Sequence, residues 1–253
     1  MGSMTAPVME GCEPLSVDGG STGVLVLHGF TGSPYSVRGL AEAMANAGHS
    51  VEMPLLPGHG TVVEDMIPTR WEDWSGAAEF AYQALSARTD RIVVAGLSMG
   101  GALTCWLAEN HPEIAGLVLV NPLVEYSAEL AEGAKALLDS GVEVMDAIGS
   151  DIALEGADER SYPATPLAPA VSLFAAVQEV SAHLGAIAAP ILLFSSVEDH
   201  VVPFSNGDHL VASVAGPIER VVLERSYHVA TLDHDAELIE AQSVAFVDRI
   251  AAT

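Results

Sequence analysis

Apolar runs without polar alternation punctuate this chain, and the stretches between them carry helical spacing. Val24-Leu25-Val26-Leu27, Ile92-Val93-Val94-Ala95, Leu117-Val118-Leu119-Val120 and Ile191-Leu192-Leu193-Phe194 are four such runs. A strand that is apolar at every position is buried on both faces, as in a parallel sheet covered by helices. Residues 50–53, closed by Pro54, and 219–223 read as two further strands. Between them, 34–47 reads as a helix, with Ser33 as N-cap, Pro34 in the first turn and Gly48 past the end. Helices are also expected over 69–86, where Glu72 and Asp73 sit in the first turns, over 98–109, stopped by His111-Pro112, and over 235–250. The pattern is α/β, with a mostly parallel central sheet and helices on both faces.

The alternation breaks once, between Pro122 and Pro190. There the spacing is helical only, through Leu130, Leu137, Val142, Val144, Ile148, then Val171, Phe174, Val177 and Leu184, divided by Tyr162-Pro163-Ala164-Thr165-Pro166. An all-helical insertion between two strands cannot join the sheet, so 122–189 is expected to form a cap over the strand ends. The core then comprises 1–121 and 190–253, with Met1-Gly2-Ser3-Met4 reading as a cloning remnant.

Chemistry enters at Gly96-Leu97-Ser98-Met99-Gly100. This G-x-S-x-G follows a β-branched run directly and leads straight into helix-forming residues, the strand–turn–helix context that holds a serine nucleophile on a strained elbow. Glycines flank the serine because a Cβ there would clash where strand and helix meet. A serine hydroxyl needs a neighbouring base, commonly an imidazole held by a carboxylate. Of nine histidines, His228 lies just past the last strand, with His234 as nearest competitor. Asp199, right after the 191–196 run and backed by Val201-Val202-Pro203, is the preferred acid over Glu198. Two backbone amides must then face the developing oxyanion. Met99, after the nucleophile, supplies one; Phe30, in His28-Gly29-Phe30-Thr31-Gly32, is best placed for the other. His28 and His59 read as buried residues bracing their loops.

Composition narrows the partners. The 253 residues include 34 Asp plus Glu against 9 Lys plus Arg, a formal charge of −25. That field disfavours nucleic acid and anionic lipid surfaces and favours a neutral substrate. Two cysteines make no disulfide framework, and no His/Cys cluster suggests a metal. No signal peptide is read, and no window approaches about 18 uninterrupted apolar residues, so no transmembrane segment is expected and the cytoplasm is the expected compartment.

His28-Gly29-Phe30-Thr31-Gly32-Ser33-Pro34, Leu56-Pro57-Gly58-His59-Gly60, Gly96-Leu97-Ser98-Met99-Gly100-Gly101, Asp199-His200-Val201-Val202-Pro203 and Ser226-Tyr227-His228-Val229-Ala230-Thr231-Leu232-Asp233 together resemble the bacterial monoacylglycerol lipases and related carboxylesterases of the α/β-hydrolase fold. The likeness runs from about Gly23 to Ile250. It implies a triad of Ser98, Asp199 and His228, an oxyanion hole from the amides of Phe30 and Met99, and neither metal nor organic cofactor. In that family the cap holds the acyl chain and the alcohol. Ile148 falls on the cap loop as a lining residue, and Glu159 on the acidic position that meets glycerol hydroxyls; a solvated surface glutamate is the alternative for Glu159. The expected activity is hydrolysis of monoacylglycerols of medium to long chain, a small neutral lipid ester, through an acyl-enzyme on Ser98. The alternatives are a general carboxylesterase for short acyl esters and a non-catalytic small-molecule receptor on the same scaffold. Oligomeric state is not readable from the sequence.

Overall fold

A computed structural model describes residues 6–147 and 149–253. The chain opens with β1 (Leu15–Val17) and β2 (Thr22–Leu27), then α1 (Arg38–Asn46), β3 (Ser50–Met53), α2 (Val63–Met66) and α3 (Trp71–Ser86). Next come β4 (Arg91–Leu97), α4 (Met99–Asn110), β5 (Gly116–Val120), α5 (Ala128–Asp139), β6 (Val144–Asp146) and β7 (Ala164–Pro166). The last part holds α6 (Leu167–His183), β8 (Ile191–Ser196), α7 (Ser205–Ser213), β9 (Ile218–Leu223) and α8 (Ala236–Ala251). Seven strands form one sheet in the order β1-β3-β2-β4-β5-β8-β9, parallel throughout except for β1 at the edge.

Two-sided burial explains the unbroken apolar strands. Leu25, Leu27, Val94, Leu117, Leu119 and Leu193 face the cluster built with α3, α4 and α6. The alternate residues Val24, Val26, Val93, Ala95, Val118 and Phe194 face the cluster built with α1 and α8. Each fully buried Val or Leu contributes about 1.5–3 kcal/mol, so the central strands are a rigid platform for the loops at their carboxyl ends. The strand order reverses between β2 and β4, the crevice where ligands bind in open α/β sheets. The expected helix 34–47 begins as a 3-10 turn, Pro34–Val37, whose N-cap Ser33 accepts from the Tyr35 amide at 3.2 Å; Gly48 leaves it at φ 94°.

β5 and β8 are sheet neighbours, Leu117 opposite Ile191, although the whole 121–190 segment separates them in sequence. That insertion is not all helical, as its spacing suggested. Besides α5 and α6 it contains an antiparallel ribbon, β6 with β7, in which Met145 pairs with Thr165. The Val142–Met145 apolar residues that mimicked a helix face belong to this ribbon and its approach, where Val142 and Met145 are exposed and Val144 is half-buried. α6 lays Leu173, Val177 and Val180 into the core beside α4, whereas α5 buries no residue. Leu167–Ala186 is long and apolar enough to cross a membrane by length and composition; here its apolar face closes the core. Cys12 and Cys105 are both wholly buried and unpaired.

Candidate active site

Ser98 sits between β4 and α4 with φ 57° and ψ −116°, the strained backbone expected of the elbow. Its carbonyl accepts the amides of Gly101, Ala102 and Leu123, and its amide donates to Val120 O at 3.1 Å, so the strain is held on several sides. The two motif glycines are steric requirements. A Cβ on Gly96 would lie 2.1 Å from Gly100 O, and one on Gly100 would lie 2.1 Å from Leu27 O. Met99 is the first residue of α4, and its amide therefore has no carbonyl to serve within the helix.

The Gly29 loop packs against this elbow: a Cβ on Gly29 would stand 3.4 Å from Ser98 Cβ and 4.0 Å from its Oγ. His28, wholly buried, donates from Nδ1 to Gly29 O at 3.0 Å and accepts the Leu56 amide on Nε2 at 3.2 Å. With both nitrogens committed, it is unable to act as a base. Gly29 C=O and Phe30 N–H share one peptide plane, so the His28 bond also fixes where the Phe30 amide points. Burial, with the neighbouring His59, pushes His28 far below the ordinary imidazole range, and burial lowers His59 to about 4. Both rings are neutral scaffolding, as the sequence suggested. Phe30 meets Trp74 edge-on at 5.7 Å.

Asp199 and His228 come together from the loops after β8 and β9. Asp199 Oδ2 accepts His228 Nδ1–H at 2.8 Å, and both side chains are almost fully enclosed. Asp199 Oδ1 takes the amides of Val201 and Val202 at 2.9 and 2.7 Å, so the turn behind the acid satisfies the rest of its carboxylate. This bond leaves His228 Nε2 as the free lone pair of the ring. Glu198 and His234, the competitors, are exposed. Among the described residues Ser98 Oγ makes no hydrogen bond, to His228 or any other group. Such contacts commonly tighten only with substrate bound.

Three supporting residues escaped the sequence reading. Asn121, at φ 43°, follows β5 directly; its Nδ2 donates to His228 O at 2.8 Å and its Oδ1 accepts Ser196 N at 2.8 Å. It thus ties the base loop to the strand whose last carbonyl holds Ser98. Asp233 gathers four amides, from Ala153, Leu154, Tyr227 and His234. Asp151, in the insertion, accepts from both His200 and His228. The one available signal was Asn-Pro at a strand end, where Asn tolerates left-handed backbone; the aspartates look like any others in an acidic chain.

Glu159 is not a solvated surface residue. It is 8% exposed, with Oε1 packed against Gly32, and burial raises its carboxyl to about 7, partly offset by His228. Among the described residues its carboxylate has no hydrogen-bond partner. Ile148 lies outside the described residues. A separate groove of about 520 Å³ runs between α5 and α6, lined by Val124, Tyr126, Ala131, Val177 and Ser181, and includes none of the candidate site residues.

A doubly wound parallel sheet, a serine elbow after a central strand and an Asp–His pair after the last two strands define an α/β-hydrolase. The comparisons agree. Residues 21–235 match the family described as Serine aminopeptidase, S33, and the chain belongs to that family. It is 43% identical to a thermostable monoacylglycerol lipase from Bacillus sp. (strain H-257), over 95% of this chain and 96% of that one. A carboxylesterase of Bacillus subtilis (strain 168) is 25% identical over 94% and 97% of the two chains. A solved structure from work on two metagenome-derived lipolytic enzymes, LipS and LipT, superposes with TM-score 0.92 at 40% identity, covering 96% of this chain and all of that one.

Proposed function

We propose that the chain is a serine carboxylic ester hydrolase that cleaves monoacylglycerols to glycerol and free fatty acid. The observation that carries the reading is the enclosed His228–Asp199 bond of 2.8 Å, which leaves Nε2 as proton acceptor, together with a serine on a strained elbow at the strand ends of the same sheet. The substrate class rests on the 43% identity to a protein named for it. Ser98 Oγ attacks the ester carbonyl while His228 Nε2 takes its proton. Asp199 holds the ring and stabilises the imidazolium. The carbonyl oxygen, now negative, faces the amides of Phe30 and Met99, each worth about 3–4 kcal/mol of barrier. Collapse expels the alcohol, which leaves with the proton from His228, and water repeats the sequence on the acyl-enzyme.

In this reading 122–189 is the cap, and its apolar residues, Ile148 among them, bind the chain at about 0.8 kcal/mol per buried methylene. Glu159 accepts hydrogen bonds from the glycerol hydroxyls. Its enclosure, with no hydrogen-bond partner among the described residues, is what supports that role: a solvated surface carboxylate has no reason to be enclosed. Ser98→Ala is expected to remain folded and lose ester hydrolysis. Rates on p-nitrophenyl esters from acetate to palmitate, set against 1-monolauroylglycerol and dilauroylglycerol, separate this reading from a general carboxylesterase. Preference for acetate, or equal cleavage of the diester, overturns it.

A further inference from the structure

Among the described residues of the insertion, Asp151 is the one whose side chain hydrogen-bonds both loops bearing the acid and the base. Its Oδ2 accepts the backbone amide of His200, the residue after Asp199, and the backbone amide of His228 itself, each at 3.1 Å. Its Oδ1 accepts His200 Nδ1–H at 2.8 Å, and its main-chain oxygen takes the Val229 amide at 3.1 Å. The carboxylate is only 10% exposed, so these N–H groups are its solvation. One oxygen therefore bridges the two loops independently of the bond between Asp199 and His228, and fixes the spacing that bond needs.

We infer that Asp151 is a positioning residue of the reaction, through which the insertion holds the Asp199 and His228 loops in register. The inference rests on the triad reading given above. Groups that bind and orient a reacting residue typically matter 10- to 100-fold, and a displacement of about 1 Å at reacting atoms costs roughly 100-fold. His200 is the second partner, stacked edge-on against Tyr227 at 4.7 Å, and its ring completes the clamp from the solvent side.

The test uses the full chain with Asp151→Asn, Asp151→Ala and His200→Ala, with Ser98→Ala as reference. Asp151→Asn keeps one acceptor oxygen but turns an amide group toward N–H donors and removes the charge. It is expected to lower kcat about 10- to 100-fold on p-nitrophenyl laurate and 1-monolauroylglycerol alike, with KM within threefold. Tm should stay unchanged while kcat falls and KM is kept, a split that a merely structural tie would not give. His200→Ala, which removes one of the carboxylate's three donors, should lower kcat by less. Should Asp151→Ala fold poorly, Asp151→Asn and His200→Ala still read the effect. Wild-type kcat in Asp151→Asn and His200→Ala overturns the role of Asp151. So does an activity loss that merely tracks the unfolded fraction. Turnover persisting in Ser98→Ala would instead overturn the triad reading itself.

Discussion

Replacing Glu159 by Gln tests in one variant whether the enclosed carboxyl costs stability and serves substrate. Burial holds this group at about 7 against an ordinary 4.5, a difference equivalent to about 3 kcal/mol between its charge states. The folded value lies above the unfolded one, so the unfolded chain gives up the proton first. Stability is therefore full below about pH 4.5, declines as pH rises toward 7, and stays reduced above it. Glutamine carries no such charge. Its advantage over the native residue should grow by roughly 2 kcal/mol between pH 5.5 and 8.5, a range that avoids the isoelectric region near 4.3. For a chain of this size that is about 4–8 °C in Tm. Urea unfolding of both proteins at the two pH values measures it. Hydrolysis should move the other way: losing a charged acceptor costs about 1.5–3 kcal/mol, so kcat/KM on 1-monolauroylglycerol should fall about 10- to 100-fold at pH 8.5, with little change on p-nitrophenyl laurate. A stability difference independent of pH, or equal losses on the two esters, refutes the reasoning.

Asp199→Asn should keep the turn, because its remaining oxygen still meets the Val201 and Val202 amides, yet favour the wrong His228 tautomer; kcat is expected to fall roughly 10³- to 10⁴-fold with little change in Tm. Gly100→Ala drives a Cβ to 2.1 Å from Leu27 O and should cost about 3 kcal/mol or more in chemical denaturation. Gly76→Ala on α3, with nothing within 4 Å of the added carbon, should instead gain about 0.5–1 kcal/mol.

What the sequence made legible follows from burial. The runs 24–27 in β2, 92–95 in β4, 117–120 in β5 and 191–194 in β8 are apolar at every position because helices cover both faces, and that pattern is hard to mistake. The elbow was equally plain, since Gly96 and Gly100 answer to contacts that leave no room for another residue. β1 was missed because three residues at an antiparallel edge, two half-buried and one exposed, carry too little periodicity. The β6–β7 ribbon was read as helix because a few apolar residues at Val142 and Val144–Met145 satisfy either period. α7 begins after Phe204 without a capping side chain and buries only Asn206, Gly207 and Leu210, so it offered no face to detect. Within the candidate site, the pairing of Asp199 with His228 was readable from order and strand-end placement. Asn121, Asp151 and Asp233 were not, because their value lies in amides contributed by distant loops, which a linear pattern does not encode.

The two native thiols are sealed in the interior, and burial pushes the Cys105 sulfhydryl far up from its ordinary value, so it hardly ionises near neutrality. Sulfhydryl-directed dyes therefore meet a silent background. One engineered handle such as Leu130→Cys, at a half-exposed position on α5, would carry the only accessible label. A fluorophore could then report on that helix during turnover in an otherwise native enzyme.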